Sequence, residues 1–295
     1  IIGDNGTILT STDGITWTKR TSGVTYTLNN IIYNNNMFVV VGTDAAILTS
    51  TDGITWTKRS NPAYTYTYFY SITYEDGLFI VVGDRGTILT SPDGITWTQR
   101  TSGVGITLFK IIYTKGLFIV VGENGTILTS PDGITWTKRT SGVFDTFRYI
   151  TYNNNMFVII GDNGTILTST DGINYAMNVY GNKNFIKICK YDNKYVALTQ
   201  VNSSYKVLIS NDAYGWISNI NQITNKTLRY MISGNNLLVV CGDSGEIYTS
   251  VDGIAWTKRT SPVSYNLKYM IYANGLYVII GDNGTILTST DGITW

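Results

Sequence analysis

One recurring segment constrains the fold of this chain more than any other feature. Residues 161–173 read Gly-Asp-Asn-Gly-Thr-Ile-Leu-Thr-Ser-Thr-Asp-Gly-Ile, and variants of this segment occur eight times in the 295 residues. Its second Asp recurs at steps of 39, 41, 39, 39, 41, 40 and 39 residues, at Asp13, Asp52, Asp93, Asp132, Asp171, Asp212, Asp252 and Asp291. A period of this length indicates a repeat architecture and outweighs any local interpretation.

Each copy of the segment predicts a β-hairpin. Residues 7–11 and 15–20 are rich in β-branched side chains, and Asp13-Gly14 lies between them. A two-residue Asp-Gly loop favours a type I′ turn, because Gly adopts the required positive φ without strain and Asp accepts it better than most residues. We therefore expect a tight two-residue turn in each of these hairpins.

A second hairpin lies between successive copies. Residues 28–33 and 37–41 predict two strands, and Asn34-Asn35-Asn36 predicts the turn between them. The second of these strands is a continuous apolar run, which is typical of a strand covered on both faces. The same pattern recurs at 69–82, 108–121, 147–160, 228–241 and 267–280.

Each period thus holds four strands, which we name A to D from residue 28. Four short antiparallel strands repeated every ~40 residues predict an all-β fold, a β-propeller of four-stranded blades. Residues 21–295 contain seven such repeats, of which the one at about 175–216 is degenerate because Val201-Asn202-Ser203-Ser204 replaces its glycine turn. Residues 1–20 form the C–D hairpin of an incomplete or preceding blade.

The number of blades and the extent of the protein follow from the ends of the sequence. Seven blades are favoured, and eight remain the alternative if strands outside this sequence complete the first hairpin. Because the chain begins and ends inside predicted strands, we expect it to be a piece of a longer protein. We expect an extracellular, cell-surface or virion-associated location, and the sequence leaves the oligomeric state open.

Composition argues against several classes of function. The formal net charge is +1, from 21 basic and 20 acidic residues, which favours neither nucleic acid nor an anionic membrane as a partner. No apolar run approaches the ~20 residues of a membrane helix, so we predict no membrane insertion. The absence of His removes the commonest general base and metal ligand.

The two cysteines are best interpreted as packing residues. Cys241 occupies a position that is Val in several other repeats, which predicts a small buried side chain. A disulfide between Cys189 and Cys241 stays open at this point, since two cysteines do not define a framework.

The hairpin motif resembles the Asp-box of BNR-repeat proteins. Ser11-Thr12-Asp13-Gly14-Ile15-Thr16-Trp17 carries the resemblance, with one residue fewer than the common pattern between Asp and the Thr-Trp pair. The longer repeated segment is similar to bacterial and phage repeat proteins akin to the photosystem II assembly-factor propellers. The resemblance implies that the Asp braces the C–D turn and that the aromatic packs on the blade, at the eight Asp residues above and at Trp17, Trp56, Trp97, Trp136, Trp256 and Trp295.

The recurring polar residues give little support to catalysis or metal binding. Gly3-Asp4-Asn5-Gly6 and its copies offer too few oxygen ligands for Ca²⁺, so we predict no metal and no cofactor. Propeller sialidases also carry Asp-boxes, and a resemblance to them implies a catalytic site of three arginines, a Tyr–Glu pair and an acidic residue around the central axis. Arg85, Arg148 and Arg229 are the non-repeated arginines, but Glu75 lies in an A–B turn at the opposite end of the blade. We therefore assign no catalytic residues.

The variable positions are the candidates for binding. The D–A loops and the starts of the A strands change from repeat to repeat, and they contain many aromatic and basic residues. Tyr and Arg are favoured anchors in interfaces. We predict a non-enzymatic binding or structural propeller with a glycan or protein partner. Its ligand-binding residues would be Tyr66, Tyr68, Tyr70, Arg148, Tyr149, Arg229, Tyr230, Lys268 and Tyr269.

Three alternatives to this function stay open. One is a sialidase-like glycoside hydrolase. Another is a passive spacer or assembly factor within a larger surface or phage protein. In the third, the aromatic residues only fill the mouth of a central channel.

Overall fold

The computed structural model describes residues 1–181, 183–202, 204–218 and 223–295. The first strands are β1 (Ile8–Thr10), β2 (Thr18–Arg20), β3 (Leu28–Asn34), β4 (Met37–Gly42), β5 (Ile47–Ser50), β6 (Thr57–Lys58), β7 (Phe69–Glu75), β8 (Leu78–Gly83), β9 (Ile88–Ser91), β10 (Thr98–Arg100), β11 (Leu108–Thr114), β12 (Leu117–Gly122), β13 (Ile127–Ser130) and β14 (Thr137–Arg139).

The later strands are β15 (Phe147–Asn153), β16 (Met156–Gly161), β17 (Thr165–Ser169), β18 (Ala176–Val179), β19 (Asn184–Tyr191), β20 (Lys194–Val201), β21 (Ser204–Ser210), β22 (Ile217–Ser218), β23 (Leu228–Gly234), β24 (Leu237–Gly242), β25 (Ile247–Ser250), β26 (Thr257–Lys258), β27 (Leu267–Ala273), β28 (Leu276–Gly281) and β29 (Ile286–Ser289). Short 3₁₀ turns lie at Asp4–Gly6, Asp84–Gly86, Asp162–Gly164, Asp243–Gly245 and Asp282–Gly284.

Neighbouring strands along the chain are also neighbours in the sheets. Strands β1 and β2 form a two-stranded sheet, and β3–β6, β7–β10, β11–β14, β15–β18, β19–β22 and β23–β26 form four-stranded sheets. Strands β27–β29 form a three-stranded sheet. The fold is an all-β, seven-bladed β-propeller with four-stranded antiparallel blades, and the predicted fold class is confirmed. Among the described residues the seventh blade has the three strands β27–β29, and the β1–β2 hairpin precedes the seven blades. The turn predicted at Val201-Asn202-Ser203-Ser204 includes Ser203, which lies outside the described residues.

The chain divides into two compact units, and each has its core between successive sheets. Unit 1 comprises Ile1–Ile150 and Asp171–Tyr175, and unit 2 comprises Thr151–Thr170 and Ala176–Trp295. In unit 1, Val39 of β4 packs in one cluster with Phe69 and Phe79 of the next sheet, and in unit 2 the residues Val196, Leu198, Leu228, Met231 and Val240 form such a cluster. The apolar B strands are thus covered by the adjacent blade, as their sequences predict.

The A–B hairpins close with tight turns where the Asn- and Gly-rich tripeptides predict them. Asn34 pairs with Met37, so Asn35 and Asn36 form a two-residue loop with φ of 50° and 56°. Positive φ at both central residues defines a type I′ turn. The same two positive angles occur at Asp76-Gly77, Lys115-Gly116, Asn154-Asn155, Asn235-Asn236 and Asn274-Gly275.

The prediction of a type I′ turn at Asp13-Gly14 is wrong. Thr10 pairs with Thr18, so the connection runs over residues 11–17, and we name this segment and its equivalents the Asp loop. Gly14 has a φ of 73°, whereas Asp13 is absent from the residues with positive φ. The prediction failed because side chains close this loop, and side-chain bonds to the backbone compete with the ladder of a tight hairpin.

Two side chains hold the Asp loop together. The Asp13 carboxylate accepts hydrogen bonds from the backbone N–H groups of Ile15 and Thr16, both at 2.8 Å. The Ser11 hydroxyl donates to Asp13 at 2.8 Å and accepts from the Gly14 N–H at 2.8 Å. The same bonds from two backbone N–H groups to the Asp recur at Asp52, Asp93, Asp132, Asp171, Asp212, Asp252 and Asp291.

A Trp ties seven of the eight Asp loops to the blade, and Tyr175 stands at this position in the loop of Asp171. Trp97 Nε1 donates to the Gly94 carbonyl at 3.1 Å, and its ring centroid lies 6.4 Å from that of Phe79. Only 7% of Trp97 is exposed, so it belongs to the core of unit 1. The bond to the Gly carbonyl recurs at Trp17, Trp56, Trp136, Trp216, Trp256 and Trp295, and these rings are partly buried.

Both cysteines are free thiols. Cys241 is fully buried, and burial raises the pKa of its thiol to about 12. It therefore packs as a small apolar side chain, which is what its Val-like position in the repeat predicts.

Removing the ring of Trp97 should destabilise the protein. We expect Trp97→Ala to lower the free energy of unfolding by about 3–5 kcal/mol, because it leaves a cavity beside Phe79. Ile95→Ala is the matched control, since Ile95 lies in the same loop and is 43% exposed. Its cost should stay within about 0.5 kcal/mol. Chemical denaturation measures both, and equal losses would contradict the buried role of the ring.

The Asp loops should make stability depend on acid pH. The N–H groups of Thr135 and Ile134, and then the Ser130 hydroxyl, lower the pKa of Asp132 to about 2. A carboxyl with a lower pKa in the folded than in the unfolded state stabilises the fold above the unfolded value of about 4, and that contribution is lost as the pH falls towards 2. We expect urea midpoints to fall across this range, and to fall less steeply in Asp132→Asn.

Asp192→Asn is the control for this prediction. Asp192 is an exposed carboxylate in an A–B turn with a φ of 53°, a conformation that Asn also accepts. Its pH profile should match that of the unchanged chain. An Asp132→Asn profile that is parallel to the unchanged one would show that the loop carboxylate does not contribute.

Candidate functional site

A β-bulge positions the candidate residues at the start of strand A. Leu228 pairs with Gly242 and Tyr230 with Cys241, so Arg229 is the extra residue on its strand. In the described registers the equivalent extra residues are Asn29, Tyr70, Phe109, Ile186 and Lys268. A bulge redirects a side chain out of the normal alternation, and bulges are common next to functional sites. Three of the predicted residues, Tyr70, Arg229 and Lys268, therefore occupy one special backbone position.

The loop before β7 presents three tyrosines to solvent, and we name residues 61–68 the tyrosine loop. The exposed fractions of Tyr64, Tyr66 and Tyr68 are 70%, 71% and 44%. Thr67 is fully buried between them, and its hydroxyl donates to the Tyr64 carbonyl at 2.7 Å. The Thr67 carbonyl accepts from the Ala45 N–H at 2.7 Å. The loop is therefore anchored from below while its rings point outward.

Further bonds fix the entry of the tyrosine loop. The Asn61 side chain donates to the Ala45 carbonyl at 2.9 Å and accepts from the Ala63 N–H at 3.0 Å. Tyr66 has a φ of 68°, in the left-handed region that a non-glycine residue seldom occupies. Such a conformation costs about 1–3 kcal/mol, persists only where the surrounding structure imposes it, and is concentrated at functional sites.

The remaining candidates of unit 1 are Tyr70 on β7 and Arg148 and Tyr149 on β15. Burial, and then the nearby Asp84 carboxylate, raise the pKa of Tyr70 to about 12, and its ring packs edge-on against Phe109 at 5.3 Å. Lys110 Nζ lies 5.8 Å from the ring centroid of Tyr149, within reach of a cation–π interaction. Burial lowers the pKa of Lys110. Arg148, before Tyr149 in β15, is exposed.

In unit 2 the two candidate cations already hold carboxylates. Arg229 donates to Asp243 through both Nε and Nη2, the latter at 3.0 Å, and this interaction raises the pKa of the guanidinium. Lys268 Nζ lies 2.6 Å from an Asp282 oxygen and lowers the pKa of that carboxyl. The bulge brings each cation back onto the 3₁₀ turn of its own blade. A ligand carboxylate would have to share or displace these partners.

Lys187 is a residue that sequence reasoning missed. Its side chain is buried, with 7% exposed, and Nζ donates to the Tyr230 hydroxyl at 2.9 Å. The ring of Tyr230 lies 4.3 Å from that of Tyr269, so the three side chains form one stack in unit 2. Lys187 follows the bulge as Lys110 does, and aligning the degenerate repeat on that position would have identified it.

The tyrosine loop and the aromatic and basic residues at the strand starts can bind ligands by stacking, hydrogen bonds and ion pairs. Glu75 is the last residue of β7, five residues beyond Tyr70, so the two lie about 17 Å apart along the strand. In the described part of the chain, no cluster of His, Cys, Asp and Glu side chains could hold a metal ion. Among the same residues, no helix is long and apolar enough to cross a bilayer.

Solved structures share the fold. "YCF48 bound to D1 peptide" is 16% identical, with 89% of this chain and 93% of that chain covered and a TM-score of 0.68. The computationally designed Ika8 protein is 12% identical, with coverage of 97% and 96% and a TM-score of 0.73. Sqt1 of Saccharomyces cerevisiae is 12% identical, with coverage of 97% and 90% and a TM-score of 0.74. At these identities the similarity shows the β-propeller fold alone.

Sequence comparison identifies the family. No curated protein matches the chain. The resemblance to Asp-box and phage proteins stays a prediction. The DUF6242 beta propeller domain matches residues 28–147 and 176–295, which is most of the sequence. The chain therefore belongs to the family of DUF6242 β-propeller domains.

Proposed function

We propose that this propeller is a non-enzymatic binding module whose tyrosine loop and bulged strand starts engage a protein partner. The tyrosine loop carries the proposal. Tyr64, Tyr66 and Tyr68 are exposed on a loop whose backbone is fixed by Thr67 and Asn61. Rigid aromatic side chains supply contact area at a low entropic cost, and a loop held in place loses little further freedom on binding.

A protein is favoured over an acidic glycan as the partner. The structural neighbour YCF48 is described with a bound D1 peptide, which is a precedent for peptide binding on this fold. The carboxylate of an acidic sugar would require an available cation. Arg229 and Lys268, which the sequence suggested for this role, are paired with Asp243 and Asp282. Glycan binding through the aromatic rings is the second candidate.

Several observations support a role without catalysis. A sialidase-like site would need a Tyr–Glu pair beside the arginines, and Glu75 lies at the far end of its strand from the bulge. The three solved structures named above are described as a peptide complex, a designed protein and a yeast protein, and none of these three descriptions names an enzymatic activity.

The tyrosine loop predicts the outcome of a peptide selection. Peptides selected from a display library on the unchanged chain should bind Tyr66→Ser/Tyr68→Ser at least tenfold more weakly, because interface tyrosines are common hot spots. Titration calorimetry measures each affinity. Ile54→Ser/Ile95→Ser is the control, since these side chains are 52% and 43% exposed in Asp loops.

Each outcome of this selection has a defined meaning. Peptides that bind both double variants as tightly as the unchanged chain would contradict the tyrosine loop as the binding site. A glycan array that gives ligands, together with a selection that gives no peptide, would transfer the proposal to glycans.

Arg148 at the start of β15 gives an independent test in unit 1. Arg148→Ala should weaken binding of the selected peptides, and Arg59→Ala/Arg139→Ala should leave it unchanged. Of the control arginines, Arg59 directly follows the outer strand β6 and Arg139 ends the outer strand β14. They donate through Nε to Thr49 and Thr129 at 2.7 Å. Loss of binding in the outer-strand variant alone would place the binding surface at the blade edge.

A further inference from the structure

A second candidate surface in unit 1 is a groove that shares no residue with the tyrosine loop. A cavity of about 610 Å³ is lined by residues 5–6, 19–26 and 58, and we name it the basic groove. Lys19, Arg20 and Lys58 contribute three positive charges, and Tyr26 contributes an aromatic ring. None of the lining residues is Asp or Glu. A concave surface lined by one sign of charge concentrates ions of the opposite sign.

The cations of the basic groove are held by the blade but not neutralised by it. Lys19 lies opposite Leu9, and Lys58 lies opposite Leu48, so both occupy the same position on successive outer strands. Lys58 Nζ lies 5.1 Å from the ring centroid of Tyr26. Within the described residues, neither lysine forms an ion pair. Arg20 donates through Nε to Thr10 Oγ1 at 2.8 Å, and its two terminal nitrogens take no part in this hydrogen bond.

The lysine at the same repeat position in unit 2 shows which chemical group such a side chain binds. Lys258 lies opposite Tyr248, as Lys58 lies opposite Leu48, and its Nζ is 2.6 Å from an oxygen of Glu246. The Tyr248 hydroxyl donates to the other Glu246 oxygen, and Glu246 is only 6% exposed. A lysine and a tyrosine therefore enclose a carboxylate there.

The basic groove has lysines at the same repeat position but no carboxylate between them. Its tyrosine, Tyr26, comes from the D–A connection, because Leu9 and Leu48 stand at the repeat position of Tyr248. The residues at the repeat position of Glu246 are Thr7 beside Lys19 and Ala46 beside Lys58. The other repeats do not place two lysines on successive outer strands, since the sequence at this position runs Lys19, Lys58, Gln99, Lys138, Met177, Ser218 and Lys258. The groove thus has two adjacent lysines, a tyrosine and no internal anion.

We propose that the basic groove binds an acidic peptide segment, with Lys19 and Lys58 each pairing with a carboxylate and Tyr26 packing against the aliphatic part of the bound side chains. Charge complementarity and the Lys258–Glu246 pair both favour a carboxylate ligand. The binding residues differ from those of the tyrosine loop, so this proposal stands or fails independently of the proposed function.

A hexaglutamate peptide is a suitable probe. Titrated into the unchanged chain at low salt, it should bind saturably and with one peptide per chain, and binding should weaken at high salt because exposed charges are screened. Lys19→Gln/Lys58→Gln should weaken binding about tenfold, in line with the usual strength of exposed ion pairs. Gln is a safe replacement, since Gln99 occupies this position in another blade.

Two further variants separate the groove from general charge effects. Lys138→Gln removes one lysine at the same repeat position but away from the groove, and it should bind as the unchanged chain does. Thr7→Glu places a carboxylate at the repeat position of Glu246, and it should weaken binding by pairing with Lys19 internally. Thermal midpoints check that each variant is folded.

The outcomes that would overturn the proposal are distinct. It fails if hexaglutamate does not saturate, or if Lys138→Gln weakens binding as much as Lys19→Gln/Lys58→Gln. It also fails if inorganic sulfate at equal charge concentration displaces the peptide completely, since that would indicate a site for any small anion. Retention of hexaglutamate binding by Tyr66→Ser/Tyr68→Ser would support the separation of the two sites.

Discussion

The hydrogen bonds from loop backbone to the Asp carboxylate are the interaction on which each repeat depends. In the first copy, Asp13 satisfies the N–H groups of Ile15 and Thr16, and Ser11 satisfies that of Gly14. Bonds to an ionised acceptor are stronger than neutral ones. Because bonds within this short segment close the C–D hairpin, the connections before and after the hairpin are not needed to close it. The side chains of the D–A connections can therefore differ between blades, while a recurring backbone bond such as that from the Gly6 N–H to the Tyr26 carbonyl holds each connection in place.

Much of the architecture was predictable because its signals are local and repeated. The recurring Asp segment, the apolar B strands and the Asn- and Gly-rich tripeptides located four strands and the A–B turn in each period. The type of the C–D turn was not predictable from Asp13-Gly14 alone. The pair favours a type I′ turn as an isolated rule, whereas the bonds of the Asp13 carboxylate and the Ser11 hydroxyl to the loop stabilise the wider loop.

The candidate site was predictable in position but not in geometry. The variability of the repeats located Tyr66, Tyr68 and Arg229 on loops and strand starts. It could not show that Thr67 is buried between exposed tyrosines, or that Arg229 is bound to Asp243. The second of these depends on a bulge that shifts the register by one residue, and a register shift leaves no mark in composition. In unit 2 the positive charges of Arg229 and Lys268 are paired with Asp243 and Asp282 of their own blades.

The uniformity of the Asp loops has a consequence for how the chain finds its fold. Residues 3–15, 161–173 and 281–293 are identical in sequence, so these hairpins cannot distinguish one another during folding. Discrimination must come from the residues that pack between sheets, such as Phe157 in one blade and Tyr277 in another, both fully buried. Repeats of such similarity are prone to exchange elements between chains. The core residues that differ between blades therefore determine which neighbouring sheet each of the identical hairpins packs against.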